Sequence, residues 1–155
     1  MDSKSLHKAN WQLFLFGMFK IPVIGFVRPR VTNLTEHSLS VVIPLRRRTR
    51  NHVNSMYLGV MTVGADLACG LLAYEKLKRL GLKTAPVFKT MSANYIKRAE
   101  DHVVFRCDAG EIIDQMISGA QKSGERVTKN VTVEAWCRDE MVATFDMGLS
   151  FKVRS

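Results

Sequence analysis

The sequence predicts an α+β domain in which an antiparallel sheet curls around one long apolar helix. Residues 127–153 alternate between apolar and polar side chains with a period of two, interrupted by a turn at Asp139-Glu140, which predicts a long hairpin. Residues 56–80 predict a single helix that is apolar on nearly every side as far as Ala73 and must therefore be buried all round. A helix, two strands, the long helix and four further strands follow one another, an order that favours α+β over a parallel sheet.

The N-terminal region predicts a helix over residues 5–19, which Pro22 terminates, so residues 1–23 form a helical extension of the domain. Its uninterrupted apolar run, residues 11–19, is far shorter than the ~20 residues that a membrane-spanning helix needs. No small-x-small cleavage motif follows, so neither a transmembrane segment nor a signal peptide is predicted. We expect this helix to lie over the core or an interface, with contact to a membrane surface as the alternative.

The other elements follow from local patterns. Asn54 or Ser55 is the expected N-cap of the long helix, and Gly81 is expected to end it. Pro29 and Pro44 weaken the first two strands, which should end or lie at a sheet edge there. The remaining predicted elements are strands over residues 25–35, 38–45, 87–97 and 102–108, the last two joined by a short polar turn, and a short helix over residues 111–121.

Composition and charge indicate one domain, residues 1–155, with anionic partners. The 46% hydrophobic and 24% charged residues are ordinary for a globular chain of 155 residues. The 23 Lys and Arg against 14 Asp and Glu give a net charge of +9, which favours phosphorylated ligands, nucleic acid or anionic lipid without choosing among them. Cys69, Cys107 and Cys137 lie in apolar runs without the spacing of a metal site, which predicts buried reduced thiols, no metal and a cytoplasmic location.

One charged residue interrupts the long apolar helix. Asp66 is the only charged residue between Arg50 and Glu75, and an isolated carboxylate in an apolar interior is costly unless it is paired, hydrogen-bonded or protonated. It is either a structural residue, bonded to backbone or to a threonine across an interface, or a base or nucleophile at a cleft, where carboxylates with perturbed pKa values concentrate. Helical spacing places it on a small, partly polar stripe with Gly59, Thr62, Cys69 and Gly70.

Residues 51–70 resemble the signature of PaaI-type thioesterases of the hotdog fold. That signature runs Asn-x-x-Gly-x-x-His-Gly-Gly and continues, after four residues, with Leu-Ala-Asp. The resemblance needs no gap, extends over residues 24–153 with further similar segments at 89–98 and 143–145, and is closer to an uncharacterised branch of the superfamily than to its well-studied enzymes. The matching positions are Asn51, Asn54, Tyr57-Leu58-Gly59 and Gly64-Ala65-Asp66.

The resemblance implies a hotdog domain, a curved antiparallel sheet wrapped around a central helix, that hydrolyses acyl-CoA or another acyl thioester. It implies that Asp66 acts as general base or nucleophile, while the backbone N–H of Gly59 or Leu58 at the helix N-terminus polarises the thioester carbonyl. It also implies a homodimer or a dimer of dimers with sites between subunits. No cofactor is implied, since coenzyme A is part of the substrate.

This chain departs from the family signature at several positions. Tyr57 replaces the family histidine and either donates a hydrogen bond to the thioester or fills the core. Asn54 and Leu58 replace glycines and, with Thr62, are candidate substrate-binding residues, whereas Asn51 is expected to order the turn. The departures favour, as the alternative function, a hotdog module that binds acyl groups or acyl-CoA without catalysis.

A run of basic residues, Arg46, Arg47, Arg48 and Arg50, precedes the signature. Guanidinium groups bind phosphates well, so this run is a candidate site for the phosphates of coenzyme A. A solvated strand end is the alternative interpretation. Nucleic acid is a less favoured partner, because no helix-turn-helix, zinc or RNA-recognition motif is present and no aromatic residues are interleaved with the run.

Overall fold

The computed structural model describes residues 3–153, which contain four helices and six strands. The helices are α1 (Ser3–Phe19), α2 (Pro22–Val27), α3 (Leu58–Arg79) and α4 (Gly110–Ser123). The strands are β1 (Arg30–Leu34), β2 (Leu39–Ile43), β3 (Val87–Tyr95), β4 (Val103–Cys107), β5 (Arg126–Cys137) and β6 (Glu140–Lys152). They form one antiparallel sheet in the order β1-β2-β4-β5-β6-β3. Residues 1–2 and 154–155, at the ends of the predicted single domain, lie outside the described residues, and the domain assignment stays a prediction.

The sheet curves around α3, which confirms the predicted hotdog architecture. β5 and β6 pair along their whole length, as the alternating pattern predicted, and their inward side chains, such as Val133, Phe145 and Leu149, are fully buried. α3 packs against β2, β4, β5 and β6. Among the described residues, α3 alone has the length and hydropathy to cross a bilayer, but 50% of its apolar stretch is buried in the domain, as expected of a core helix.

Small residues allow α3 to lie close to the sheet. Gly64 faces the fully buried ring of Phe105 on β4, and a Cβ at that position would overlap the ring. Nearby, Cys69 of α3 and Cys107 of β4 are free and buried, which confirms the prediction of buried thiols for this pair. A hydrogen bond with Cys107 and burial raise the pKa of the Cys69 thiol, so it stays protonated.

The N-terminal region contains a second helix where a strand was predicted. The prediction of a strand from residue 25 is wrong, because residues 22–27 form α2 and β1 begins only at Arg30. Pro22 both ends α1 and opens α2, a position that suits its fixed φ. α1 is fastened to the sheet edge by Asn10, whose amide donates to the Val31 carbonyl and accepts from the Val31 N–H, each at 2.9 Å.

The start of α3 also differs from the prediction. Its N-cap position is Tyr57, with no side-chain cap, rather than Asn54 or Ser55. The polar side chains before it are used in a turn: the Asn51 side-chain oxygen accepts from the Ser55 N–H at 3.1 Å, and Asn54 adopts a φ of 58°. At the other end Gly81, with a φ of 68°, terminates the helix as predicted.

The two strands that follow α3 do not pair with each other. β4 lies between β2 and β5, whereas β3 pairs only with β6 and forms an edge of the sheet. Phe88 is half-buried and every other residue of β3 is exposed. α4, predicted over residues 111–121, is joined to α3 by an ion pair in which the Lys76 ammonium lies 2.7 Å from the Asp114 carboxylate. Only 10% of the Lys76 side chain is exposed.

Candidate active site

Asp66 is half-buried on α3, and its sequence neighbours Ala65, Leu67 and Ala68 are buried. No hydrogen bond or ion pair joins its carboxylate to any residue that the structure describes. No side-chain oxygen within the described range is both buried and without a hydrogen-bond partner. Because the Asp66 oxygens have no partner among these residues, they must be accessible to solvent. Burial raises the pKa of Asp66 above its usual value. An unpartnered, solvent-reaching carboxylate on a core helix is therefore free to contact a ligand.

The stripe around Asp66 faces the edge strand β3. Thr62, one turn before Asp66, lies beside the Tyr95 phenol, whose pKa is raised by burial and partly lowered by a hydrogen bond with Thr62. One turn after Asp66, a Cβ at Gly70 would lie 3.6 Å from the Phe88 ring. The residues one turn before and one turn after Asp66 on α3 therefore lie against two aromatic side chains of β3. Cys69, predicted for the same stripe, instead points into the core.

The N-terminus of α3 presents free backbone donors. No side chain caps it, so the first N–H groups, those of Leu58, Gly59 and Val60, have no acceptor within the helix. Tyr57 and Leu58 are 54% and 56% exposed, and the Tyr57 ring folds over Gly59, where a Cβ would lie 2.7 Å from a ring carbon. The partial positive charge of this helix end suits a developing oxyanion.

The turn before α3 fixes the position of that helix end. The Tyr57 N–H donates to the Thr49 carbonyl at 2.9 Å, and the buried Thr49 hydroxyl donates to the Pro44 carbonyl at 2.7 Å. Arg50 forms an antiparallel bridge with Met56, so this exposed arginine lies directly beside the start of the helix. Arg50, Asn51 and Asn54 therefore lie close to the N-terminus of α3.

The other arginines of the basic run lie elsewhere. Arg46, Arg47 and Arg48 line an open depression of about 500 Å³ together with Phe26 of α2. The Arg48 guanidinium stands 5.6 Å from the centre of the Phe26 ring and donates to the Phe26 carbonyl at 3.4 Å. No hydrogen bond or ion pair within residues 3–153 links these three arginines to Asp66.

A larger groove, for which no sequence pattern was a signal, lies between α1, α2 and the start of β1. It has a volume of about 680 Å³, and its lining includes Phe14, Met18, Ile24, Arg28, Arg30 and Arg46. The contribution of β3 to the surroundings of Asp66, through Phe88 and Tyr95, was equally hidden. Aromatic residues in a predicted strand were the one available signal, but only the sheet order shows which helix face they meet.

The curved antiparallel sheet, its central helix and the carboxylate on that helix define a protein of the hotdog class. The chain belongs to the DUF4442 family, a domain of unknown function, whose family model matches residues 9–149. No curated protein matches the sequence.

Three solved structures illustrate the similarity of the fold. A candidate thioesterase of Shewanella oneidensis superposes with a TM-score of 0.78 at 18% identity, covering 96% of this chain and 99% of that chain. A protein of Pseudomonas aeruginosa, described as of unknown function and as a candidate thioesterase, gives 0.80 at 19% identity over 94% and 96%. A thioesterase of Haemophilus influenzae gives 0.67 at 12% identity over 90% and 88%. At these identities the likeness establishes the fold.

Proposed function

We propose that this protein hydrolyses acyl thioesters and that Asp66 is its general base or nucleophile. The observation that supports the proposal most is the Asp66 carboxylate, which is half-buried, has no partner among the described residues and reaches solvent. An unpaired charge in such a place reduces stability, so its presence favours a role in binding or catalysis. A raised pKa also makes the carboxylate a better base when it is ionised.

The proposed reaction needs two parts of α3. Asp66 removes a proton from a water molecule, the resulting hydroxide attacks the thioester carbonyl carbon, and the carbonyl oxygen becomes an oxyanion. The N–H groups of Leu58 and Gly59 stabilise that oxyanion. The C–S bond then breaks, and the thiolate leaves and takes up a proton. In the nucleophilic variant the carboxylate attacks the same carbon and water hydrolyses the resulting anhydride.

The spacing along α3 favours a site shared by two copies of the chain. Gly59 and Asp66 are seven residues apart, about 10 Å along the helix axis, so one carbonyl group cannot contact both within one copy. We therefore propose a homodimer in which one copy supplies the helix N-terminus and the other supplies Asp66. The exposed edge strand β3, with unpaired backbone groups on its outer side, is suited to pairing with a second copy.

Light scattering at micromolar concentration tests the dimer. Ser92 lies in the middle of β3, so Ser92→Pro removes a backbone donor and distorts the edge. We expect the unaltered chain to run as a dimer or larger assembly and the variant, shown by circular dichroism to be folded, to run as a smaller species. A monomeric unaltered chain would refute the shared site.

Acyl-CoA is the substrate class that we propose, with no separate cofactor. We assign the binding of a coenzyme A phosphate group to Arg50, because it lies beside the start of α3 and guanidinium groups bind phosphates well. Asn54 lies in the turn before α3. Thr62 lies on the face of α3 between the N-terminus of the helix and Asp66. Because Arg46, Arg47 and Arg48 line a depression beside Phe26 of α2 instead, we assign the coenzyme A phosphates to Arg50. The buried thiols support a reducing, cytoplasmic location as part of the proposal.

A panel of acyl-CoAs of increasing chain length, with release of free coenzyme A as the readout, tests hydrolysis. We expect Asp66→Asn to lower kcat/KM by about 100-fold or more, in the range that loss of a general base produces. Asp146→Asn is the matched control, because Asp146 is an exposed carboxylate on β6 whose partner is the Thr132 hydroxyl. Hydrolysis that is absent, or equal in the two variants, would refute the proposal.

A second candidate function is the binding of acyl groups or acyl-CoA without catalysis. Tyr57 stands where the PaaI-type signature has a histidine, and its ring lies over Gly59, close to the first N–H groups of α3. Native mass spectrometry distinguishes this case. A binding module retains or takes up an acyl ligand and leaves it uncleaved, whereas an enzyme releases free coenzyme A.

A further inference from the structure

The two N-terminal helices expose an unusually large set of apolar side chains. Phe19 is 72% exposed and Trp11 57%, and the Trp11 and Phe14 rings stack with centroids 5.7 Å apart. Trp11 stacks on Phe14, and Phe14 and Met18 line one groove, so these side chains adjoin one another, and contiguous apolar areas mark binding surfaces in soluble proteins. The exposed side chains, here called the aromatic surface, are those of Trp11, Phe14, Phe16, Met18, Phe19, Ile21, Val23 and Phe26.

The aromatic surface is not needed to hold the helices on the domain. α1 and α2 bury a separate set of side chains, those of Leu13, Ile24 and Val27, and Asn10 fastens α1 to β1. α1 and α2 also touch closely at Gly17 and Gly25. Since one face of the helices makes these contacts, the apolar side chains on the remaining surface are left to meet something outside the domain.

A basic rim adjoins the aromatic surface. Arg28, Arg30 and Arg46 line the same groove as Phe14 and Met18. Arg46, Arg47 and Arg48 line a second depression together with Phe26. The sequence has no acidic residue between Asp2 and Glu36, so no carboxylate of α1, α2 or β1 neutralises this rim. The partner of the surface should accordingly be apolar and negatively charged at once.

We propose that α1 and α2 bind the surface of an anionic lipid bilayer. The helices lie in the plane of the interface, the aromatic surface enters the boundary between headgroups and acyl chains, and the arginines of the rim contact lipid phosphates. Trp, Phe and Arg are residue types suited to that boundary. A second copy of the chain is a poorer occupant, because two such surfaces would bring rims of the same charge together. The inference does not rest on the proposed hydrolysis.

Vesicle binding tests the inference with the full chain. Phosphatidylcholine vesicles with and without phosphatidylglycerol are mixed with Trp136→Phe protein, in which Trp11 is the remaining tryptophan. We expect co-sedimentation with the anionic vesicles only, a blue shift of the Trp11 emission, and weaker binding as salt rises. Equal or absent binding to both kinds of vesicle would overturn the inference.

Two matched pairs of variants locate the binding surface. Replacing Arg46, Arg47 and Arg48 by Ser should weaken binding to the anionic vesicles on the order of 100-fold. The control replaces Arg79, Lys83 and Lys122 by Ser, which removes the same charge elsewhere, and it should weaken vesicle binding less. Equal loss in both would overturn the assignment to the rim.

The apolar pair tests the aromatic surface itself. Phe19→Ser should weaken binding by about tenfold, whereas Leu80→Ser, at a 58% exposed position after α3, should not. Unaltered vesicle binding by Phe19→Ser would overturn the inference. Light scattering provides a second check. If Phe19→Ser forms a smaller assembly than the unaltered chain, the aromatic surface is an interface between copies and the inference is overturned.

Discussion

Replacing Asp66 by Asn should make the protein more stable at neutral pH. Burial raises the pKa of Asp66 in the folded state, so between its usual pKa and the raised value the folded protein binds more protons than the unfolded chain. Stability is therefore lost as pH rises through that window and stays lower above it. Asparagine carries no charge and escapes this loss.

The size of the gain follows from the partial burial of the carboxylate. A fully buried, unpaired charge costs several kcal/mol, but the Asp66 oxygens reach solvent, which reduces the penalty. We expect Asp66→Asn to add about 1 kcal/mol to the free energy of unfolding at pH 7, or about 2–4 °C in Tm for a domain of this size. A gain in stability on replacing Asp66 would indicate that the carboxylate is kept for function at the expense of stability.

Thermal unfolding followed by circular dichroism at pH 7 and near pH 3 measures this difference. At the lower pH the carboxyl group is protonated in both states, so the two proteins should unfold at nearly the same temperature. Asp146→Asn, which removes an exposed carboxylate bonded to Thr132 at 2.8 Å, should give no gain at either pH. An Asp66→Asn protein that is less stable at pH 7 would mean that the carboxylate is a structural hydrogen-bond acceptor, and the reasoning would fail.

Four further substitutions test the packing around α3, each by the change in Tm or in the urea midpoint. Gly64→Ala should cost about 1–3 kcal/mol, because the new Cβ overlaps the fully buried ring of Phe105, and an unchanged Tm would show that α3 lies farther from β4. Asp114→Asn should cost about 1–3 kcal/mol, because the buried ammonium of Lys76 loses its charged partner, whereas Lys76→Met should restore part of the loss. Gly81→Ala should cost about 1 kcal/mol, because its φ of 68° strains any residue with a Cβ, and a neutral result would contradict the αL helix end.

The elements whose apolar residues follow one regular pattern along the sequence could be predicted from it. Residues of β5 and β6 alternate because one face packs on α3, so both strands and their pairing were visible. α3 was visible because it is surrounded by the sheet and therefore apolar all round. Asp66 stood out because it interrupts that apolar helix, and the structure shows it unpartnered within the described residues.

The parts that depend on tertiary contacts could not be predicted. α2 contains Val23, Ile24 and Val27, which favour a strand, but burial of Ile24 and Val27 and the N-terminal Pro22 make it a helix. The polar residues before α3 are of the types that cap helices, but Asn51 and Ser55 form their hydrogen bonds with each other within the turn. The position of Arg46–Arg48 beside Phe26 follows from the packing of α2, which no local pattern records.

The pH dependence of thioester hydrolysis tests the role of Asp66 most directly. With a hydrolysed acyl-CoA, kcat/KM of the unaltered protein should rise with pH through a pKa above the ordinary range of an aspartate, because the carboxylate must be ionised to act and burial holds its proton to higher pH. That rise should be absent from the residual activity of Asp66→Asn. A variant that keeps both the activity and the same acid limb would contradict the account.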